Sequence, residues 1–197
     1  ISMVPGHQRP NINIREADVL IAATDHPAEN LVGRSLSPIA IAAYGSQELV
    51  DRDIRLGVLP GGEDNVWVDY LTDSEMSKAS RRLRVAHAAN ARIQVRNHSL
   101  LLHLEAVRQG LGYAFLPCIL AESDPGLLRV GNIPPVLGPS MWMLTHPDLR
   151  GTKRVKVFME FVRDIFDRRA HELLGSELNS PSLVTAADDH KFSKDGI

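Results

Sequence analysis

Residues 92–117 carry the pattern that most limits the folds this chain can adopt. Residues 92–96 alternate apolar and polar side chains at period two, which predicts a β-strand. A helix is predicted over residues 99–109, where apolar side chains recur at helical spacing: Leu100, Leu101, Leu104, Val107 and Leu111. Residues 113–116 form a short apolar run that ends at a proline, which is typical of a buried strand. The order strand, helix, strand predicts a βαβ unit with parallel strands.

The first of these strands ends at a cluster of polar residues. Asn97, His98 and Ser99 lie between the strand and the helix, and open parallel sheets bind ligands at the carboxyl ends of their strands. Ser99 is a good helix N-cap, and the first backbone amides of the helix have no partner within it. The sequence leaves two interpretations open: these residues contact a ligand, or they only cap a helix.

The rest of the chain alternates predicted strands and helices, which indicates an α/β fold with one or two domains. Further strands are predicted over residues 19–23, 39–44, 66–68, 127–130 and 141–145. Further helices are predicted over residues 11–17 (a single turn), 47–52, 73–91, 118–123 and 153–174. Prolines 134, 135 and 139 indicate an irregular link, and residues 175–197 are expected to form a mobile tail because they have few apolar residues and no periodicity.

Composition excludes several classes of protein. The chain has 197 residues, with 22 Lys and Arg against 24 Asp and Glu, so its charge does not favour direct binding of nucleic acid or of a membrane surface. No apolar run approaches the ~20 residues of a membrane span. The single cysteine, Cys118, excludes an internal disulfide and fits a reducing compartment. The chain begins with Ile1 and no leader pattern, so we expect a fragment.

Local signatures of catalysis and metal binding are absent from the sequence. There is no Gly-x-Ser-x-Gly elbow, no phosphate-binding loop and no His-Glu-x-x-His motif. His98 and His103 are five residues apart, which does not place them on one helix face for a metal, and Cys118 has no partner at ligand spacing. Glu16 and Asp18 fit a charged turn better than an acid–base pair. We therefore expect no catalytic residues, no metal and no cofactor.

Four segments, in order, resemble the effector-binding domain of LysR-type transcriptional regulators. Residues 15–21 resemble the family's "READIAI" segment, and residues 31–36 its "LVGRxL" segment. Residues 105–117 are similar to "xAVxxGLGIAxLP", and residues 141–150 to "lWlLtHpdlR". Each motif is weak by itself, but four in series are specific.

The resemblance implies two Rossmann-like α/β subdomains of the periplasmic-binding-protein type, joined by two crossing strands. Subdomain I would comprise residues 1–44 and 141–174, and subdomain II residues 45–140. Complete members carry an amino-terminal winged helix-turn-helix and a linker helix, and both are missing here. The first strand and helix of subdomain I are missing as well, so we expect its sheet to be incomplete, with an exposed edge or core face.

The resemblance also implies a site and partners. A small-molecule effector would bind in the cleft between the subdomains, with Thr24 and Asp25 on one side and residues 97–99 on the other. Arg34 and Thr145 would lie near the crossing strands. The implied assembly is a cytoplasmic homo-oligomer, a dimer or a tetramer, that contacts DNA only through the missing domain.

Two other interpretations remain open at this point. A solute-binding protein or an enzyme can use the same fold, because a fold does not determine a function. A truncated product that binds nothing is the third. The family motifs favour the regulator, whose effector, DNA target and sign of regulation the sequence does not reveal.

Overall fold

The structure, a computed structural model, describes residues 1–3, 17–71, 73–130 and 133–175. Its strands are β1 (Val19–Ala23), β2 (Val32–Ser46), β3 (Val66–Tyr70), β4 (Arg92–Asn97), β5 (Ala114–Pro117), β6 (Leu127–Arg129) and β7 (Val136–Thr145). Its helices are α1 (Gln47–Arg55), α2 (Glu75–His87), α3 (Leu100–Arg108), α4 (Cys118–Ala121), α5 (Lys153–Arg168) and α6 (Ala170–Leu173). The predicted helical turn at residues 11–17 and nearly all of the predicted tail lie outside the described residues.

Two sheets organise these elements. The first contains β1, β7, β2 and β5 in that order, all antiparallel, and β6 also pairs with β2. The second is the parallel pair β3–β4. The long strands β2 and β7 pair over most of their length, and the boundaries predicted between the two subdomains fall inside these strands rather than in loops. The division into subdomains itself stays a prediction.

The predicted βαβ unit is correct in direction, but its two strands are not neighbours. β3 lies between them: β4 pairs with β3, and Tyr113, just before β5, forms a parallel bridge with Trp67 of β3. The Tyr113 amide donates to the Val66 carbonyl at 2.9 Å, and the Val68 amide donates to the Tyr113 carbonyl at 2.8 Å. The prediction paired strands adjacent in the chain, whereas the α3 crossover passes over β3.

The core has two parts because the side chains of β2 alternate between its faces. Ile41 and Ala43 join a cluster with Trp67, Tyr113 and Phe115, in which the rings of Trp67 and Phe115 stack with centroids 5.4 Å apart. The other face joins a second cluster: Ala40, Ala42, Tyr44, Val68, Val107, Leu116 and Cys118. Residues of α1 and α2 join the first cluster and residues of α3 and α4 join the second, so helices cover both faces of β2.

Several predicted boundaries were wrong for tertiary reasons. β2 is one strand that continues to Ser46, beyond the predicted end at residue 44, because its last residues pair with β6. β7 includes Pro139, although this proline was expected in an irregular link. The register between β2 and β7 shifts between Pro38 and Ala40, opposite Pro139, and a strand tolerates proline at such an irregularity. The last predicted helix is divided at Arg169 into α5 and α6.

The predicted apolar face of α3 was also partly wrong. Val107 is buried, but Leu101 is 71% exposed, and His103 is buried in its place. Helical periodicity identifies a face by its apolar residues, whereas here the buried face accommodates an imidazole. The Cα–Cβ direction at His103 therefore points into the protein, where the ring meets polar and aromatic partners.

The expectation of an incomplete sheet in subdomain I stays a prediction, and the described residues show only which strand ends the larger sheet. Within them, β1 pairs only with β7 and forms one end of the larger sheet. Ile21 at the centre of β1 is 38% exposed, and α5 exposes Val157 and Phe161 near it on the same cavity. Residues 15–16, the first two of the segment that resembles "READIAI", lie outside the described residues.

Candidate functional site

A broad cavity of about 2110 Å³ lies between the two sheets. One wall is apolar and comprises β1, the start and middle of α5, and neighbouring side chains such as Ile39 and Leu120. The other wall contains the end of β3, the start of α2 and the start of α3. The carboxyl ends of the parallel strands therefore face a space large enough for a small organic molecule.

The polar groups of this second wall form what we call the polar corner: Tyr70, Ser74, His98 and Ser99. Tyr70 is the last residue of β3 and lies opposite Asn97, the last residue of β4. Ser74 and Ser99 are the N-cap residues of α2 and α3. Parallel pairing thus brings together two strand ends and two helix starts, where backbone amides point outward.

Asn97 supports the polar corner from behind. Its Oδ1 accepts a hydrogen bond from the Ser99 amide at 3.2 Å, and its Nδ2 lies 3.3 Å from Nδ1 of His103. Its carbonyl accepts from the Leu71 amide at 2.8 Å. Asn97 therefore fixes the turn between β4 and α3, but it does not itself line the cavity.

Ser99 begins α3 without forming the capping hydrogen bond that its residue type predicts. Its carbonyl accepts from the His103 amide at 2.9 Å, as expected at a helix start, but its hydroxyl makes no capping bond to the helix. In contrast, Ser74 accepts from the Ser77 amide at 3.2 Å and caps α2. The Ser99 hydroxyl therefore lies at the cavity wall without a capping role.

His103 and Tyr70 form a buried stack behind the cavity wall. The two rings are nearly parallel, with an interplanar angle of 9° and centroids 3.8 Å apart. Burial lowers the pKa of His103 from 6.5 to about 4, and the Asp69 carboxylate opposes this effect only in part. The imidazole is therefore neutral at neutral pH, and the stack holds the Tyr70 ring in place.

Among the described residues, the Tyr70 hydroxyl has no hydrogen-bond partner, although the atom is buried. Burial, reinforced by the nearby Asp69 carboxylate, raises the pKa of Tyr70 well above its ordinary range, so the phenol keeps its proton. A buried hydroxyl without a partner costs free energy of about 1–3 kcal/mol. Tyr70 was not singled out from the sequence, because the predicted strand ended at residue 68, two residues before it.

The charged groups near the cavity are largely paired. Asp69 is buried and lies 3.3 Å from Nε of Arg84, and Asp73 lies 3.7 Å from Nη1 of Arg81. On the opposite wall, Arg154 pairs with Asp18 at 3.2 Å. Lys153 is an exposed cation at the start of α5.

The remaining predicted site residues lie elsewhere. Thr24 and Asp25 follow β1 and bond to Ser140: the Thr24 amide donates to its carbonyl at 2.9 Å, and Asp25 Oδ1 accepts from its amide at 3.2 Å. Arg34 is exposed on β2, opposite Met143. None of these three side chains is among the described residues that line the cavity.

Thr145 is fully buried, and its hydroxyl donates to the Asp18 carbonyl at 2.7 Å. It pairs with Val19 at one end of β1, whereas Thr24 follows the other end. Four residue steps along a strand separate these ends by about 14 Å. The structure therefore does not bring Thr145 and Thr24 together, and it places only His98 and Ser99 of the predicted set at the cavity.

The part of the chain that the structure describes has neither a bilayer-crossing helix nor a cluster of metal ligands. Among those residues, no helix combines the length and apolar character that crossing a bilayer requires. Within the same ranges, no group of three or more His, Cys, Asp or Glu side chains is arranged to hold a metal ion.

The antiparallel sheet, the parallel pair with its carboxyl ends open and the cavity between the two sheets define a domain of the α/β class. A family model described as the LysR substrate binding domain matches residues 5–167. The match extends over most of the chain, so the chain belongs to the LysR substrate binding domain family, whose fold is of the periplasmic-binding-protein type.

Solved structures with the same fold are effector domains of transcriptional regulators. The effector domain of AmpR from Pseudomonas aeruginosa is 16% identical, with a TM-score of 0.62 over 84% of this chain and 80% of that chain. The AmpR effector binding domain from Citrobacter freundii is 15% identical, with a TM-score of 0.59 over 82% of this chain and 80% of that chain.

A longer regulator shows the same likeness over a smaller part of its length. ArgP from Mycobacterium tuberculosis is 16% identical, with a TM-score of 0.58 over 76% of this chain and 51% of that chain. This chain therefore matches about half of ArgP. At these identities the likeness shows the fold. The comparison with curated proteins gives no match.

Proposed function

We propose that the chain is the effector-sensing domain of a DNA-binding transcriptional regulator. A small metabolite binds in the cavity between the sheets and changes how the sheets are held relative to each other. A homo-oligomer, a dimer or a tetramer, relays that change to a winged helix-turn-helix elsewhere in the regulator. The regulator acts in the cytoplasm and carries out no enzymatic reaction.

The observation that carries this proposal is the meeting of strand ends and helix starts at the cavity. β3 and β4 are parallel, and both end at the cavity wall where α2 and α3 begin. This is the place where open α/β sheets bind ligands. Membership of the LysR substrate binding domain family supports the same site.

In the proposed complex, the ligand contacts the polar corner directly. Ser99 offers a hydroxyl without a capping role, and His98 offers an exposed ring at the same helix start. Asn97 keeps both in position through its bond to the Ser99 amide. Binding therefore depends on the Asn97–Ser99 turn more than on any charged group.

The other predicted residues have indirect roles in this proposal. Thr24 and Asp25 tie the end of β1 to Ser140 of β7, and Thr145 of β7 donates to the Asp18 carbonyl just before the start of β1. These contacts hold the apolar wall in place. Arg34 is available to a partner copy or to another part of the regulator, since it is exposed on β2.

Thermal-shift and calorimetric titration of the protein with a panel of small carboxylates, aromatic compounds and amino acids tests the proposal. A double variant, Asn97→Ala with Ser99→Ala, is expected to lose at least tenfold in affinity for any compound that binds. The matched control is Asn90→Ala with Ser123→Ala, which removes the same side chains from exposed positions away from the cavity. Unchanged affinity in the first variant would refute the proposed site.

A second measurement tests the regulatory role. In the complete regulator, a compound that binds the wild-type domain is expected to change the affinity for operator DNA, since effector and DNA binding are linked. The same compound should leave DNA binding unchanged in the Asn97/Ser99 variant. A bound compound with no effect on DNA affinity would remove the sensing role and leave a binding domain alone.

A further inference from the structure

His103 lies behind the turn that brings His98 and Ser99 to the cavity. It is 1% exposed, stacks on Tyr70 and is not among the described residues that line the cavity. The proposed function gives this side chain no role. Buried polar atoms of native proteins nearly always have hydrogen-bond partners, so the partner of a buried imidazole shows what the ring does.

Three contacts form a closed cycle between His103 and this turn. The His103 amide donates to the Ser99 carbonyl at 2.9 Å, and the Ser99 amide donates to Asn97 Oδ1 at 3.2 Å. The Asn97 side chain then leads back to His103, because its Nδ2 lies 3.3 Å from Nδ1 of the imidazole. We call these three contacts the turn cycle. Both the backbone and the side chain of His103 are therefore part of the structure that orients Ser99.

The turn cycle determines where the imidazole carries its proton. The Ser99 backbone amide can only donate, so the Asn97 atom that faces it has to be the side-chain oxygen. The Asn97 nitrogen therefore faces His103, and it too can only donate. Two donors cannot bond to each other, so Nδ1 of His103 has to be without a proton. This excludes both the imidazolium and the neutral form with its proton on Nδ1.

The surroundings of the imidazole favour the same neutral form. Burial lowers the pKa of His103 to about 4, so the ring carries a single proton at neutral pH. The Asp69 carboxylate of β3 opposes this effect, but it is paired with Arg84 of α2 at 3.3 Å. Tyr70 of β3 and Asn97 of β4, which contact the imidazole, carry no charge. The single proton therefore lies on Nε2.

We propose that His103 is a positioning residue of the effector site. Its unprotonated Nδ1 accepts from Asn97 and thereby holds the Asn97 oxygen against the Ser99 amide, which sets the place of His98 and Ser99 at the cavity wall. This role rests on the proposed function, because it concerns the same site. The turn cycle itself belongs to the free protein, so it is tested without a ligand.

The position of the imidazole proton is the first test. A long-range proton–nitrogen NMR spectrum of the isotope-labelled whole chain at pH 7 distinguishes a protonated ring nitrogen from an unprotonated one. The His103 signals, identified by their loss in His103→Asn, should show the proton on Nε2. Asn97→Asp keeps an oxygen for the Ser99 amide but replaces the donor by a second oxygen, so Nδ1 should gain a proton in this variant. A proton on Nδ1 in the wild type would overturn the inference.

Hydrogen exchange of the Ser99 amide tests the positioning role with two complementary variants. His103→Phe keeps a ring against Tyr70 but removes the acceptor, whereas His103→Asn removes the ring but places an oxygen close to the position of Nδ1. His103→Phe should speed exchange about 2- to 12-fold, the range of one neutral hydrogen bond. His103→Asn should stay within about twofold of the wild-type rate. The Leu49 amide, which donates to Ser46 in α1 away from the cavity, is the internal reference.

Three exchange results would overturn the inference and leave the proposed function intact. These are unchanged exchange in His103→Phe, faster exchange in His103→Asn than in His103→Phe, as expected if only the ring stack mattered, and equal acceleration of the Ser99 and Leu49 amides, which reports global opening. Failure of the proposed function gives a different result. A compound that binds the Asn97/Ser99 double variant as tightly as the wild type removes the site, and with it the role of His103 there, even when the turn cycle is present.

Discussion

Lowering the pH from 7 to 5 should destabilise the protein through His103. The imidazole is buried in the stack with Tyr70, and its pKa is lowered from 6.5 to about 4, mainly by burial. In the unfolded chain the ring takes up a proton near pH 6.5, whereas in the folded chain it does not until about pH 4. The unfolded state therefore binds more protons between these values, and stability falls as the pH decreases.

The magnitude follows from the two pKa values. A difference of about 2.5 in pKa corresponds to a total of about 3 kcal/mol in the free energy of unfolding. Linkage places about 2 kcal/mol of this loss between pH 7 and pH 5. Well above pH 6.5 and well below pH 4 the two states carry the same charge at His103, so its contribution to the pH dependence vanishes there.

Urea unfolding monitored by tryptophan fluorescence at pH 7, 6 and 5 measures this loss. His103→Phe keeps an aromatic ring against Tyr70 but cannot titrate, so its stability should fall by about 2 kcal/mol less than that of the wild type over this range. His26→Gln removes an exposed histidine and serves as the control. Equal pH dependence in wild type and His103→Phe would refute the reasoning that burial keeps the imidazole neutral.

Three further changes test the packing that holds the site. Asp53→Ala removes the acceptor of two buried donors, the Asn65 side-chain amide at 2.8 Å and the Tyr113 hydroxyl at 2.9 Å. The change should lower the free energy of unfolding by about 2–6 kcal/mol. A loss below about 1 kcal/mol would contradict this hydrogen-bond network. Gly33→Ala should prevent normal pairing of β2 with β7, because the new Cβ would lie 2.0 Å from the Met143 carbonyl oxygen, and wild-type stability with unchanged circular dichroism would show that the strands can separate freely. Ser46→Ala removes the side-chain cap of α1, in which the Ser46 hydroxyl accepts from the Leu49 amide at 3.2 Å. The free energy of unfolding, measured by chemical denaturation, should fall by about 1 kcal/mol. An unchanged free energy would mean that water replaces the cap.

The motif glycine in residues 31–36 illustrates how the sequence and the structure complement each other. The sequence identifies the segment through its likeness to the family, but it does not show why a glycine is there. In the structure, Gly33 lies against the backbone of Met143, where β2 and β7 approach too closely for any side chain. The requirement arises from a pairing between segments more than 100 residues apart along the chain.

Local patterns in the sequence determined the α/β class, most strand positions and the start of α3 at Ser99. These features depend on period, capping chemistry and apolar runs, which act over a few residues. They also identified the polar turn at residues 97–99. The structure retains that turn at the cavity wall, with His98 and Ser99 on the cavity and Asn97 behind them.

Tertiary structure decided which strand ends meet. Placement of β3 between β4 and β5 brings Tyr70 beside Asn97, and this pairing depends on contacts between distant segments that no local pattern encodes. It also buries His103 on a helix face that periodicity assigned to leucines. The sequence therefore predicted a polar edge at the end of a strand, because that pattern is local, whereas the packing of three strands decided that the Tyr70 hydroxyl, which has no partner among the described residues, lies beside it.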